Sequence, residues 1–483
     1  MLEKTSLGYA ARACGGQLKD AMVETLFQGV SSDSRRIQPG EIFVALRGDR
    51  FDGHDYLRQV AERGAAAVIV SDPRKVPGEF TLPVIEVGDT LRALQQFAAN
   101  YRQAMLLRTV AVTGSNGKTS TKDMLATLLA ERFSTIKTEG NLNNHIGVPL
   151  SLLQIRRSHE VGVFEMGMNH PGELAPLAEM VAPAVSIITN VGPAHLEGMG
   201  DEQAVAREKA AAILALPPDG VAILNADNRW TSFLRRRAVS RVVTAGFVAG
   251  ASVRAENVQR SSGGVEFDLI LPPLDLPNWP RVVPPRGSVN ESASPVRVKL
   301  AAIGDHWISN ALLAAAAARV FGLTTDEIAA GFTKISLPAM RMQSSEVQSV
   351  HWINDAYNAN PDSMRAALQA LAAWPSQGRR VAVLGDMLEL GDESERLHRQ
   401  LGVEVARLKL DLLIAVGQMA GFIAGEARAN GMQAGDIVIC DAVAQAATAL
   451  RARVQAGDCV LVKGSRGMKM EPLVPRPQPA GWE

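Results

Sequence analysis

A glycine-rich turn is the stretch of this sequence whose residue types and spacing most clearly indicate chemistry. Between an apolar run and a helical pattern, it reads Thr113-Gly114-Ser115-Asn116-Gly117-Lys118-Thr119-Ser120. The glycines allow backbone amides to turn toward an anion, and a helix that begins at Lys118 adds its positive end. Val112 stands where the Walker pattern G-x-x-x-x-G-K-[ST] has its first glycine. The turn still predicts a nucleoside triphosphate site, with Lys118 on the β- and γ-phosphates and the Thr119 hydroxyl on Mg²⁺.

Two further polar residues follow predicted strands. Glu165 ends the apolar run VGVFEMG, and His195 comes after VSIITN. Doubly wound sheets bind ligands at the carboxyl ends of their strands, so Glu165 is a candidate Mg²⁺ ligand. A loop histidine taken alone is more often a surface residue than a ligand. Lys209, in AREKAAAILAL, is by itself typical of a cation on a helix surface.

Two amide-rich stretches are candidate substrate-binding segments. The first, TEGNLNNHIGVPL (138–150), contains Asn141, Asn143 and Asn144. The second, NDAYNANPDS (354–363), contains Asp355, Tyr357, Asn358 and Asn360. Amides at this density suit either a turn or hydrogen bonds to a polar substrate, and a helix cap explains only Asp362 of the second stretch.

The elements that must position these residues form three blocks. Residues 1–105 contain short alternating runs and predict a small N-terminal α/β domain. Residues 106–335 alternate near-continuous apolar strands with helices, which predicts a mostly parallel, phosphate-loop ATPase domain. Residues 336–483 repeat that alternation and predict a Rossmann-like, doubly wound C-terminal domain. A proline-rich insertion at 272–295 is assigned no role.

Composition excludes several classes of protein. The 483 residues contain 50 Lys+Arg and 50 Asp+Glu, so no net field favours nucleic acid or an acidic membrane. The longest apolar run, around 311–318, is shorter than a membrane span, and the first residues lack the apolar core of a signal peptide. Three widely separated cysteines suit a reducing compartment. These features predict a cytoplasmic protein that does not insert into membranes.

Taken together, these segments resemble the Mur ligases, the ATP-dependent enzymes that form amide bonds in bacterial cell-wall synthesis. The resemblance runs from SSDSRR near the N-terminus to VKGSRGMKME near the C-terminus. TGSNGKTS resembles the family signature TGxxGKTS, which lacks the leading Walker glycine.

The resemblance implies roles for individual residues around ATP and Mg²⁺. Lys118, Lys209 and His195 match the catalytic group. Thr119 and Glu165 match ligands of a first metal ion, and His195 and a carbamylated Lys209 match ligands of a second. The positions that match nucleotide-binding residues outside the glycine-rich turn are His306, Asn310, Arg341 and Asp355. Trp307 departs from the family, in which Asn is common at this position, so its contact with the nucleotide stays open.

Other matching residues imply where the remaining substrates bind. In the family, an N-terminal segment holds the uridine diphosphate end of the substrate. The matching residues here are Ser32, Asp33, Ser34 and Arg35. A C-terminal loop that faces peptide substrates in the family is matched by Lys463, Ser465 and Arg466.

Within the family, the combination TEGNLNNHIGVP, DAYNANPDSM, GDMLELG and VKGSR is similar to one branch. That branch uses ATP to join D-alanyl-D-alanine to UDP-N-acetylmuramoyl-tripeptide, and the implied assembly is a monomer. Two alternatives are an amide ligase that adds an earlier stem residue and an ATP-binding regulatory switch protein. The third stem residue, the carbamylation of Lys209, the oligomeric state and the group that takes the proton from the attacking amine stay open.

Overall fold

The computed structural model describes residues 5–18, 22–261, 263–274, 295–375 and 378–475. Most of the proline-rich insertion, residues 275–294, lies outside the described residues. Each of the three predicted blocks contributes one main sheet, so the three-domain α/β fold is confirmed. The boundaries at 105/106 and 335/336 stay a prediction.

The N-terminal block is built on a parallel sheet with strand order β3-β4-β5-β6. A short antiparallel pair, β1 and β2, precedes it. The elements are β1 (Thr5–Ser6), α1 (Leu7–Cys14), β2 (Leu26–Phe27), β3 (Gly29–Ser31), β4 (Glu41–Val44), α2 (Leu57–Glu62), β5 (Ala67–Val70), β6 (Val84–Glu86) and α3 (Thr90–Gln103).

The central block has the strand order β15-β14-β13-β12-β11-β10-β7-β9-β8. The sheet is parallel from β8 to β13, while β13, β14 and β15 pair antiparallel. Its strands are β7 (Arg108–Thr113), β8 (Thr135–Lys137), β9 (Val161–Glu165), β10 (Val185–Ile188), β11 (Val221–Asn225), β12 (Arg241–Gly246), β13 (Val253–Ser261), β14 (Gly264–Ile270) and β15 (Val296–Leu300). Its helices are α4 (Lys118–Leu129), α5 (Gly147–Leu152), α6 (Leu174–Val181), α7 (Leu196–Met199), α8 (Glu202–Lys209), α9 (Ala211–Leu214), α10 (Thr231–Arg235), α11 (Asp305–Val320) and α12 (Thr325–Phe332).

Helices cover both faces of the central sheet, which explains its near-continuous apolar strands. On β7, Val110 and Val112 pack with α4 and α11, whereas Ala111 faces the core formed with the N-terminal block. Residues 311–318 of α11 are fully buried, as expected for a helix that is apolar on all sides. Since α11 packs against α4, these residues help to fix the helix that carries Lys118.

The C-terminal block has the strand order β16-β17-β21-β18-β19-β20, in which β16 is an antiparallel edge strand. The sequence pattern gives no signal for β16. The strands are β16 (Gln343–Val347), β17 (Val350–Asn354), β18 (Arg380–Gly385), β19 (Leu412–Val416), β20 (Ile437–Cys440) and β21 (Cys459–Lys463). The helices are α13 (Pro361–Ala372), α14 (Ser394–Arg407), α15 (Ala420–Ala429) and α16 (Val443–Arg453). One hydrophobic core is shared between the central and C-terminal blocks, with Ile188 and Leu224 on one side and Met364 and Leu368 on the other.

Within the described part of the chain, no helix combines the length and the apolar character needed to cross a bilayer.

Candidate active site

The glycine-rich turn lies at the carboxyl end of β7 and leads into α4, as the sequence predicts. Gly114 has φ 151° and Gly117 has φ 78°, both in a region that side chains rarely adopt. A Cβ atom on Gly114 would lie 1.8 Å from Thr189 Oγ1, and one on Gly117 would lie 2.3 Å from Asn310 Oδ1. The backbone of this turn therefore requires glycine at both positions.

Replacing Gly114 with alanine is expected to abolish nucleotide binding, because the added methyl group collides with Thr189 and displaces the turn. Gly88→Ala is the matched control, since a Cβ there has nothing within 4 Å. Binding of ATP can be measured by calorimetry for both variants. Unchanged ATP affinity in Gly114→Ala would show that the turn does not hold the nucleotide.

Neighbouring loops hold the turn in place. The Ser115 N–H donates to Asn190 O at 3.1 Å, and the Asn116 N–H donates to Asn190 Oδ1 at 2.8 Å. Ser115 Oγ donates to Gly192 O at 3.0 Å. The loop after β10 thus supports the shape of the turn, and Asn190 is a contributor that sequence reasoning missed.

Lys118 lies at the start of α4 and folds back over the turn. Its Nζ donates to Gly114 O at 2.7 Å. Burial lowers the pKa of Lys118, the nearby Glu165 raises it and Arg341 lowers it. A cation at the first turn of α4, beside the backbone amides, is suited to contact the end of a polyphosphate chain.

The two candidate ligands of a first metal ion both line the same cavity. Glu165 ends β9 as predicted and is 1% exposed. Its Oε1 accepts from Asn143 Nδ2 at 2.8 Å, while the buried Oε2 has no hydrogen-bond partner among the described residues. Oε2 lies 3.8 Å from Lys122 Nζ, which is too far for a hydrogen bond. This oxygen can therefore donate a lone pair to a metal ion.

No group of three His, Cys, Asp or Glu side chains in the described residues converges as a metal centre. A metal ion at Thr119 and Glu165 would therefore need oxygen atoms from its substrate or from water. This donor set, a hydroxyl and a carboxylate, fits Mg²⁺, which is usually bound by one or two carboxylates plus phosphates and waters.

Lys209 is a buried residue, at 2% exposure, so the surface interpretation of its sequence pattern is wrong. It ends α8, and its pKa is lowered well below the usual value by burial and by the charge of Lys118. A buried ammonium group that feels a second cation is unfavourable unless an anion lies nearby.

His195 precedes α7 in a left-handed conformation, with φ 57°. Its Nδ1 lies 2.7 Å from Oε2 of Glu389, which follows β18 in the C-terminal block. Both residues line the cavity. The segment GDMLELG that contains Glu389 supports the family resemblance, but no role for this residue was predicted.

The C-terminal block closes the cavity with a second group of predicted residues. Arg341 lies over the Tyr357 ring, with 4.1 Å between the guanidinium carbon and the ring centroid, and donates to Thr119 Oγ1 at 3.1 Å. Lys463 Nζ donates to Asp355 Oδ2 at 2.6 Å and to Asn358 O at 2.9 Å. These contacts bring five predicted third-domain residues to the rim of the phosphate site.

A reciprocal pair of amides joins the phosphate turn to the C-terminal block. Asn360 Nδ2 donates to Asn116 Oδ1 at 2.7 Å, and Asn116 Nδ2 donates to Asn360 Oδ1 at 3.1 Å. Asn360 also caps α13 by accepting from the Ser363 N–H. The polar cluster that a helix cap alone did not explain thus includes a contact between domains.

The amide-rich stretch 138–150 divides into two roles. Asn143 bonds Glu165, and Asn144 Oδ1 accepts from the backbone of Ile146 and Gly147 at the start of α5. Asn141, which is exposed, lines the cavity with both of them.

At the first turns of α11, His306, Trp307 and Asn310 also line the cavity. Burial lowers the pKa of His306 to about 4, so its ring is neutral at neutral pH. Trp307 is 1% exposed, and its Nε1 has no hydrogen-bond partner within the described ranges.

The structure does not bring every predicted residue to the cavity, which has a volume of about 440 Å³. Ser465 is buried, and its Oγ accepts from the Leu388 N–H at 2.8 Å, so it supports a loop. The N-terminal segment pairs Arg35 with Asp33 through two hydrogen bonds on the surface. The residues in the predicted set that do not line the cavity are Gly114, Lys209, Ser465, Arg466, Ser32, Asp33, Ser34 and Arg35.

Comparison with known proteins assigns each block to a protein family. Residues 26–102 match the model "Mur ligase family, catalytic domain", residues 112–318 match "Mur ligase middle domain", and residues 340–466 match "Mur ligase, glutamate ligase domain".

Individual relatives are similar over nearly the whole length. The UDP-N-acetylmuramoyl-tripeptide–D-alanyl-D-alanine ligase of Escherichia coli (strain K12) is 37% identical over 464 residues, covering 95% of each chain. A crystal structure of MurF from Acinetobacter baumannii superposes with a TM-score of 0.85 at 32% identity, covering 98% of each chain. MurF ligase from Thermotoga maritima in complex with ADP gives a TM-score of 0.78 at 27% identity, covering 92% of this chain and 96% of that one.

Proposed function

This chain belongs to the Mur ligase family, and from that membership and the site we infer its reaction. It is an ATP-dependent ligase that joins D-alanyl-D-alanine to UDP-N-acetylmuramoyl-tripeptide in peptidoglycan synthesis. The products are the UDP-linked pentapeptide, ADP and phosphate. Relatives with this activity in their names match from end to end at 31–37% identity. The observation that carries the inference is a phosphate turn that faces polar residues of a second sheet across one cavity.

The reaction needs an activated acid, because a carboxylate and an amine at neutral pH form a salt. In the first step, an oxygen of the tripeptide carboxylate bonds to the γ-phosphorus of ATP, the bond to the β-phosphate oxygen breaks, and ADP leaves. In the second step, the amine of D-alanyl-D-alanine bonds to the acyl carbon and loses a proton. The carbon–oxygen bond to phosphate then breaks. Both steps depend on alignment and charge neutralisation more than on a protein nucleophile.

The phosphate turn supplies that alignment for ATP. Gly114 and Gly117 direct the backbone of the turn, and the start of α4 adds its partial positive charge. Lys118 must leave Gly114 O to reach the terminal phosphates, which its flexible stem allows. The ADP-bound relative from Thermotoga maritima supports a nucleotide in this fold. We assign ATP to residues 114–120 together with His306, Asn310, Arg341 and Asp355.

The acidic and hydroxyl groups beside the turn are suited to Mg²⁺. Glu165 Oε2 is a buried oxygen without a hydrogen-bond partner among the described residues, and Thr119 Oγ1 accepts from Arg341. When bound, Mg²⁺ would neutralise charge on the phosphate oxygens during transfer. Asn143 holds the other oxygen of Glu165 and so orients the carboxylate.

We propose that Lys209 is carbamylated and, with His195, completes a second Mg²⁺ site. A carbamate changes the buried amine into an anion, which removes the unfavourable pairing of Lys209 with Lys118. Burial of the side chain also protects the modification from water.

The remaining predicted residues are assigned to the other substrates. We propose that the segment of residues 32–35 binds the uridine diphosphate end. We assign the peptide ends to the amides at 141, 143 and 144 and to the C-terminal residues Tyr357, Asn358, Asn360, Lys463 and Arg466. Ser465 is included as a support for the loop that contains Leu388.

We propose that the protein is a monomer and that it acts in the cytoplasm, where ATP and UDP-linked precursors are available. The buried free thiols of Cys14, Cys440 and Cys459 suit such a reducing compartment. The balanced charge gives no reason to expect a nucleic acid partner.

The test is acceptor-dependent release of ADP from the purified chain. Each UDP-N-acetylmuramoyl acceptor of the stem series is offered with each candidate amine, and full turnover is expected only for the tripeptide with D-alanyl-D-alanine. Turnover with a single amino acid would favour a ligase for an earlier stem residue. ATP hydrolysis without an acceptor would favour the switch protein. Tripeptides that end in meso-diaminopimelate or lysine then identify the third residue.

A further inference from the structure

The turn that follows β18 makes a contact with His195 that no predicted role explains. We call residues 386–391 the β18 turn. Glu389 in this turn places Oε2 2.7 Å from Nδ1 of His195, and the Glu197 N–H donates to Glu389 O at 3.1 Å. Gly391 lies so close that a Cβ there would be 3.2 Å from Glu197 Cα. The β18 turn of the C-terminal block therefore packs against the start of α7.

The β18 turn is firmly held on its own domain. Asp386 Oδ1 accepts from the Ala420 N–H at 2.7 Å, and the Met387 N–H donates to Nε2 of the fully buried His398 at 2.9 Å. The Leu388 N–H donates to Ser465 Oγ. These anchors fix the backbone of the turn relative to the C-terminal sheet, and the half-exposed Glu389 side chain extends from that fixed backbone.

Both partners of the contact have unusual backbone conformations. His195 has φ 57° and Glu389 has φ 64°, and neither is a glycine. A left-handed residue without a local compensation costs on the order of 1 kcal/mol or more and is retained where the surroundings require it. Two such residues that face each other across a domain joint indicate that the direction of their side chains matters.

The distance determines where the imidazole carries its proton. A lone pair on Nδ1 could not lie 2.7 Å from a carboxylate oxygen, because the two would repel each other. Nδ1 is buried, and its 2.7 Å contact with Glu389 Oε2 falls outside the angular range of a hydrogen bond. No other described residue forms a hydrogen bond with this nitrogen, so Glu389 is its close polar neighbour. With the proton on Nδ1, the lone pair is on Nε2, which is the form that a ligand or proton acceptor needs.

We propose that Glu389 is a positioning residue that fixes the Nδ1–H tautomer and the ring orientation of His195. The inference rests on the proposed ligase function, in which His195 belongs to the catalytic group. Because the carboxylate comes from the C-terminal block and the histidine from the central block, the pair forms only when the two are together. Domain closure therefore sets the tautomer and the ring orientation of His195, and both are free to vary when the domains are apart.

The experiment compares Glu389→Ala and Glu389→Gln with the wild-type chain. Each protein is labelled with ¹⁵N-histidine, and the imidazole signals of His195 are assigned by their loss in His195→Gln. Wild type is expected to show the Nδ1–H tautomer, and Glu389→Ala the Nε2–H form that free histidine favours. The kcat for acceptor-dependent ADP release should fall about 10- to 100-fold in Glu389→Ala with little change in the KM for ATP.

Glutamine keeps an acceptor oxygen, so Glu389→Gln should restore the Nδ1–H tautomer and most of the kcat. Glu393→Ala is the matched control, because that glutamate pairs with Arg396 on the surface. An unchanged tautomer in Glu389→Ala would overturn the proposal, whatever its kcat. Absence of acceptor-dependent ADP release in wild type would instead refute the ligase function, and the tautomer comparison would still stand.

Discussion

Lys118→Ala is expected to lower the rate of acceptor-dependent ADP formation by roughly three orders of magnitude. The side chain lies over the phosphate turn, with its Nζ 2.7 Å from Gly114 O, and belongs to the first residue of α4. Charge on the transferring phosphoryl group has to be neutralised in a site that excludes water, where a lost cation is costly. The measurement is a coupled ADP assay under saturating ATP, tripeptide and D-alanyl-D-alanine.

Lys334→Ala is the matched control for Lys118→Ala. Lys334 forms a surface ion pair with Glu131, so its removal should leave the rate unchanged. Thermal unfolding of both variants separates a loss of chemistry from a loss of fold. A normal condensation rate in Lys118→Ala would place the phosphate site elsewhere.

Lys209→Met is expected to lose activity by roughly two to three orders of magnitude while its unfolding temperature stays the same or rises. Methionine fills the volume of the buried side chain and removes an amine that burial and Lys118 disfavour as a cation. A lysine retained only for packing would show the opposite pattern, with lower stability and normal turnover. The two readouts are thermal unfolding and acceptor-dependent ADP release.

Carbamylation of Lys209 has a direct measurement. Wild type incubated with ¹³C-bicarbonate should show a carbamate carbon signal that Lys209→Met lacks. Lys137→Met, at a half-exposed lysine paired with Asp123, should keep that signal. A wild-type spectrum without a carbamate signal would contradict the modification and leave Lys209 as a buried amine.

The sequence predicts the fold well where patterns are local. The apolar run that begins at Thr109, the two glycines and the helix start at Lys118 appear in the structure as β7, the turn and α4. Glu165 ends its strand as predicted. Parallel strands present their carboxyl ends at one edge of the sheet, and this places Glu165 beside the turn that follows β7. The short strand β16 was missed, since its residues, QSSEV, have no apolar alternation.

Features that depend on distant partners could not be read from local patterns. Lys209 looked like a surface cation because AREKA is typical of an exposed helix, yet the packing of α8 buries it. Asn116 and Asn360 are 244 positions apart, and only the meeting of two domains pairs their amides. Ser465 was expected to face substrate but supports the β18 turn, since the direction of a loop side chain follows from tertiary contacts.

The fully buried stretch 311–318 of α11 has a consequence for protein engineering. Six of its eight side chains are alanine methyl groups without exposed surface, and α11 packs against α4. A larger side chain on the side that faces α4 would therefore displace that helix, which begins at Lys118. Substitutions made in this segment to raise thermal stability would thus change the affinity for phosphate, although no ligand touches these positions. Libraries of such variants should be screened for turnover as well as for unfolding temperature.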